Sequence, residues 1–172
     1  MANATSEKFS KEQMLERAFH RIAWNVKHMW EETGRSDTRL FIEPIIPDAF
    51  VIVGQSRRGG THKEHIVPRV LICDECHRMF KNGEPVVAVA RFIRKYLKVV
   101  LISKEEQQLL DKKAHLNMKQ TMPKGWTFET GCEFARLKAT GIEYDLCPEP
   151  NHLLNPTPES FAPRHASVSG TG

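Results

Sequence analysis

Thr61-His62-Lys63-Glu64-His65-Ile66-Val67-Pro68 is the stretch on which the reading of this chain turns. Residues Thr61 to Ile66 follow a two-glycine turn and read as a short strand, which Pro68 terminates because proline cannot continue a central ladder. Glu64 and His65 put a carboxylate beside an imidazole, a pairing in which one group can bind a metal ion and the other can move a proton. Neighbouring side chains on a strand point to opposite faces, so the pair can serve one site only at a strand end, where the backbone turns. That is where the proline places it.

Upstream, Ser56-Arg57-Arg58-Gly59-Gly60 reads as a turn and Phe50 to Gln55 as the strand before it, while Pro44 and Pro47 limit the preceding segment to short or edge strands. At the N-terminus Ser10 and Gln13 have capping-box spacing, and Leu15, Phe19, Ile22, Val26 and Trp30 recur at helical intervals until Gly34. Met14, Ala18, Ala23 and Met29 widen that apolar face. Downstream, Pro68 opens a helix through Phe80, and Pro85 opens another carrying Val86, Val89, Ala90, Ile93 and Leu97. Lys98 to Ile102 is a valine-rich strand, and Ser103 caps a helix with Glu106 in capping-box position. A last helix is expected between Thr130 and Gly141, with Thr130 and Glu133 at its cap.

On these residues the chain resembles the HNH, or ββα-metal, nucleases. Glu64-His65-Ile66-Val67-Pro68 matches the family's first strand, which ends in an acidic residue or histidine, then histidine, an aliphatic residue and often Val-Pro. The resemblance implies Glu64 as a ligand of a divalent metal ion and His65 as the general base that activates water. The family's second strand runs into a helix whose first turn carries another ligand, and Val99 to Ser103 followed by Lys104-Glu105-Glu106 has that layout. Glu106, with Glu105 as its neighbouring substitute, would then complete a carboxylate site suited to Mg²⁺ or Mn²⁺. Arg57, Arg58 and Lys63 are placed to meet a phosphate backbone. The resemblance implies endonucleolytic hydrolysis of nucleic acid, with DNA as the default substrate. The asparagine that usually precedes the family's second strand is replaced by Tyr96-Leu97-Lys98, and the segment between the two strands is longer than the compact motif requires. That departure motivates an alternative, a catalytically inactive ββα frame that binds a nucleic-acid or protein partner.

Cys73-Asp74-Glu75-Cys76-His77 carries a rival reading, because two thiolates at this spacing can occupy two corners of a zinc tetrahedron. The second pair is missing: Cys132 and Cys147 are far apart, and His77 and His152 are loose candidates. On a helix Cys73 and Cys76 would instead share a face with Phe80 and pack as small hydrophobes. His62 and His65 on one strand would point to opposite faces, so the two do not form a chelating pair. Trp24, Trp30 and Trp126 read as packing residues, and His20 and His28 as helix-surface histidines.

The 172 residues, 40% hydrophobic and 27% charged, fit one globular α+β domain. It comprises a long N-terminal helix, a small antiparallel sheet with the ββα-metal motif, and additional helices. The expected layout is a flexible N-terminus over 1–9, the domain over 10–147, and a disordered Pro/Ser/Gly tail over 148–172. A net charge of +4 and a pI near 8.9 permit phosphate contact without demanding it. No apolar run approaches the ~20 residues of a membrane span. With no export signal at the start of the sequence, the expected address is the cytoplasm and the cysteines are expected to be reduced.

Overall fold

The computed structural model describes residues 9–112 and 117–147. Helix α1 (Lys11–Thr33) begins at the expected capping box, with Ser10 and Gln13 satisfying each other's backbone N–H groups, and ends at Gly34 with φ 69°. Its Leu15, Phe19, Ile22 and Val26 are buried as their spacing requires. Helices α2 (Arg69–Lys81) and α3 (Val86–Tyr96) start directly after Pro68 and Pro85, and α1, α2 and α3 pack against one another. Ile72, Ile93 and Val89 fill the space between them without solvent exposure.

Beside these helices lies a four-stranded sheet of β1 (Ile52–Ser56), β2 (His62–His65), β3 (Val99–Ile102) and β4 (Tyr144–Leu146), in the order β2-β3-β1-β4. The expected antiparallel sheet is in fact mixed: β2 and β4 run antiparallel to their neighbours, whereas β1 and β3 are parallel. The cause is the path of the chain. β1 and β2 are joined by a short turn, but β3 inserts between them, so they lie about two strand spacings, or ~9.6 Å, apart. Gly60 makes that crossing possible. It adopts φ 121°, and a Cβ on it would lie 2.1 Å from the Ile102 carbonyl oxygen, because the turn passes directly over the end of β3.

β3 leads into α4 (Lys104–Asp111), where Ser103 and Glu106 form the expected capping box. β2, β3 and α4 thus follow one another as strand, antiparallel strand and helix, with α2 and α3 interposed between the two strands. Near the C-terminal end α5 spans only Ala135–Ala139, shorter than its periodicity suggested. Glu133 is not a cap residue, because its carboxylate accepts hydrogen bonds from Lys98 Nζ at 2.8 and 2.9 Å. β4 was not foreseen, since its three residues are mostly exposed and present no alternating apolar face. Trp30 and Trp126 pack against the core as expected, but Trp24 does not: it is 50% exposed. Residues 1–8 of the expected flexible N-terminus and the expected tail over 148–172 lie outside the described residues.

Gly60→Ala is expected to lower the stability by more than about 2 kcal/mol, because the added methyl meets fixed backbone. Gly59→Ala, at φ 75° with open space around it, should cost only about 1 kcal/mol. Urea denaturation of the two variants checks the difference.

Candidate functional site around Glu64, His65 and Glu106

β2 ends at His65, as Pro68 requires, and alternation along it places His62 and Glu64 on one face. Their side chains meet, with His62 Nε2 3.5 Å from Glu64 Oε2. The decisive neighbour of Glu64 comes from α5. Arg136, only 1% exposed, donates through Nη1 to Glu64 Oε1 at 2.7 Å and to the His65 carbonyl oxygen at 2.7 Å. Its Nη2 donates to the Met118 carbonyl oxygen at 2.5 Å. One guanidinium therefore ties together the end of β2, the segment at Met118 and α5.

The position in which the resemblance expects a divalent ion thus faces a permanent cation supplied by the protein. Arg136 was not foreseen, because a single arginine between Phe134 and Leu137 on a short helix reads as a surface residue. His65 lies close by, and burial, assisted by the charges of Arg69, Arg136 and His62, pushes its pKa down to about 3. Its ring is neutral at pH 7 and holds a proton too weakly to be a well-matched base there. His65 Nδ1 and Arg136 Nε have no hydrogen-bond partner among the described residues.

Glu106, expected as the second carboxylate ligand, is 2% exposed and has both oxygens engaged. Oε1 accepts from the Ser56 hydroxyl at 2.7 Å and Oε2 from the Ser103 N–H at 2.9 Å, so it joins β1 to the start of α4. Glu105 points to solvent, its carboxylate held below the usual range by its own backbone N–H and the Ser103 hydroxyl. Glu64, Glu105 and Glu106 as arranged do not fit a Mg²⁺ or Mn²⁺ site, since a carboxylate already neutralised by a buried guanidinium or held by two donors has little to offer a hard cation. No group of three or more His, Cys, Asp or Glu side chains among the described residues is placed to hold a metal ion.

Of the basic residues expected to meet phosphate, Arg57 is engaged by Glu143 at 3.2 Å and Asp145 at 3.3 Å, and Lys63 is paired with Asp48. Arg58 is exposed on the turn. Cys73 and Cys76 share a face of α2 and are buried with Phe80, the packing arrangement their helical spacing allowed. Burial raises the pKa of both thiols, and Cys73 contacts the Ser36 hydroxyl and lies 3.9 Å from His77 Nε2. Among the described residues Cys73 and Cys76 are not part of a group of three or more His, Cys, Asp or Glu side chains placed to hold a metal ion, and Cys132 is exposed. His152 lies outside the described residues. No protein-family model, no curated protein and no solved structure matches the chain.

Glu64→Gln is expected to destabilise the fold by about 3–5 kcal/mol, because it leaves the Arg136 charge buried without its counterion. The double variant Glu64→Leu with Arg136→Met should recover most of that loss in thermal denaturation. A second expectation concerns acid. Between pH ~6.5, the unfolded value, and pH ~3, the folded value, the unfolded chain binds a proton that folded His65 does not. Stability therefore falls as pH drops through that window. His65→Gln should shrink the loss between pH 7 and pH 4.5, measured by urea midpoints at both pH values.

Proposed function

We propose that this chain binds nucleic acid through a ββα-derived frame and does not hydrolyse it at Glu64 and His65. The observation that carries this reading is the Arg136 guanidinium seated between the Glu64 carboxylate and the His65 carbonyl. A guanidinium neutralises charge as a metal ion does, but it has no bound water whose pKa it can lower, so it cannot supply the nucleophile that metal-assisted hydrolysis uses. The neutral, weakly basic His65 supports the same conclusion. What remains of the resemblance is the succession of β2, β3 and α4, the basic pI and an exposed Arg58, all compatible with contact to a phosphate backbone.

Hydrolysis by the HNH mechanism, with DNA as substrate, is the second reading. It is favoured by Glu106 lying on α4, which packs against the strand bearing Glu64, so that both carboxylates belong to the strand–strand–helix unit. Metal entry would require Arg136 to release Glu64.

Oligonucleotides of DNA and RNA, single-stranded and duplex, distinguish the two readings when incubated with Mg²⁺, Mn²⁺ or EDTA. The expected result is salt-sensitive binding in about the micromolar range, unchanged by EDTA, with no cleavage. Metal-dependent cutting that disappears in His65→Ala would establish the second reading. Absence of binding to every nucleic acid tested would remove the nucleic-acid partner altogether.

A further inference from the structure

Arg17, Arg21, Trp24 and His28 follow one another along α1 at i, i+4, i+7 and i+11, the spacing of a single helical face. They form a stripe about 16 Å long, at 1.5 Å per residue. Trp24 is 50% exposed, and its ring is not idle: it stacks on His28 with centroids 3.8 Å apart and planes 28° from parallel. His28 Nδ1 lies 2.9 Å from the Trp24 carbonyl oxygen, which fixes the imidazole in that stack. A stacked pair of rings is thereby held on α1, with Arg21 one turn before it and Glu31 and Glu32 one turn after it.

The stripe borders a groove between α1 and α3. Buried Phe19 and Ala90 belong to its lining, as do Val87, 47% exposed, Arg17, Arg21 and Arg91. Its volume of about 630 Å³ is ample for a nucleotide unit. The charges are not uniform. Glu16 also lines the groove, and Arg94 is committed to Glu12 at 2.5 and 2.9 Å. Arg21 and Arg91 have no ion pair among the described residues, and Arg17 lies over the Phe9 ring at 4.4 Å. Arg17 and Arg21 belong both to the groove, which Arg91 also lines, and to the stripe that carries the Trp24–His28 stack, although the rings themselves are not among the groove's lining residues. That juxtaposition matches a ligand that alternates anionic groups with planar rings.

We propose that this face of α1, with Arg91 of α3, is a platform for single-stranded nucleic acid: an unpaired base stacks on Trp24 and His28, and phosphates lie along Arg17, Arg21 and Arg91. The inference rests on the nucleic-acid reading above and names its surface and its strand state. Duplex bases are already stacked and paired, so a ring platform of this kind has nothing to hold on a duplex, whereas every unpaired base offers a π-face. The surface lies on α1 and α3 and would extend the contact that the exposed Arg58 offers at the ββα frame, where Arg57 and Lys63 are already paired.

Fluorescence anisotropy of end-labelled 15-mer single-stranded DNA, single-stranded RNA and blunt duplex tests the proposal, with circular dichroism confirming that the variants are folded. Trp24→Ala should weaken single-strand binding about tenfold. Arg21→Glu with Arg91→Glu should weaken it by more than about tenfold and flatten its salt dependence. If the wild type binds single strands but both variants stay within about twofold of it, the platform is wrong and the nucleic-acid reading stands. If the wild type binds no nucleic acid in any form, both fall. A preference for duplex, or binding only to vesicles containing phosphatidylserine, would overturn the single-strand assignment.

Discussion

A guanidinium sealed from solvent has to find acceptors within the protein, and Arg136 finds them on two separate parts of the chain. Its bonds to Glu64, the His65 carbonyl and the Met118 carbonyl join the edge strand β2 to a C-terminal region with little regular structure of its own. Among the described residues that region contains a five-residue helix and a three-residue strand. Leu137, Ile142 and Met118 anchor the region in the core, and the buried pair, costly to break once formed, fixes where it meets β2. Where β2 meets α5 depends on this contact, as does the electrostatic character of the surface around His65.

The same pair changes how the Glu-His sequence is to be understood. A carboxylate and an imidazole at the end of a strand are suited to metal chemistry only if the carboxylate is free and the imidazole can hold a proton near neutral pH. Here Glu64 is neutralised from within and His65 is held neutral by burial beside positive charge. Glu106 is used in the same way, as a connection between β1 and α4. The acidic residues Glu64 and Glu106 of this face hold the frame together, each already engaged by donors of the protein itself.

Much of the local structure could be read directly. The capping boxes at Ser10 and Ser103, the helix starts after Pro68 and Pro85, the strand end before Pro68 and the apolar stripe of α1 are all set by residues within one or two turns of each other. Such signals survive in a single sequence because their interactions are short-range. β4 and the real extent of α5 were illegible for the opposite reason. β4 exists through a distant partner, β1, and its own residues carry no periodic pattern, while the length of α5 is limited by contacts with distant residues, among them the acceptors of Arg136.

What this sequence determined by itself was α1 to α4, the strands β1 to β3, the mixed α and β composition and the turn at Gly59 and Gly60, because backbone angles, caps and amphipathic spacing act locally. Only the tertiary structure decided that β3 would insert between β1 and β2 and make the sheet mixed. It alone decided that Arg136 would meet Glu64, 72 residues away, and that Trp24 would remain outside the core, stacked on His28. Pairing and exposure depend on which surfaces compete for the same interior, and that competition is resolved only when the whole chain packs.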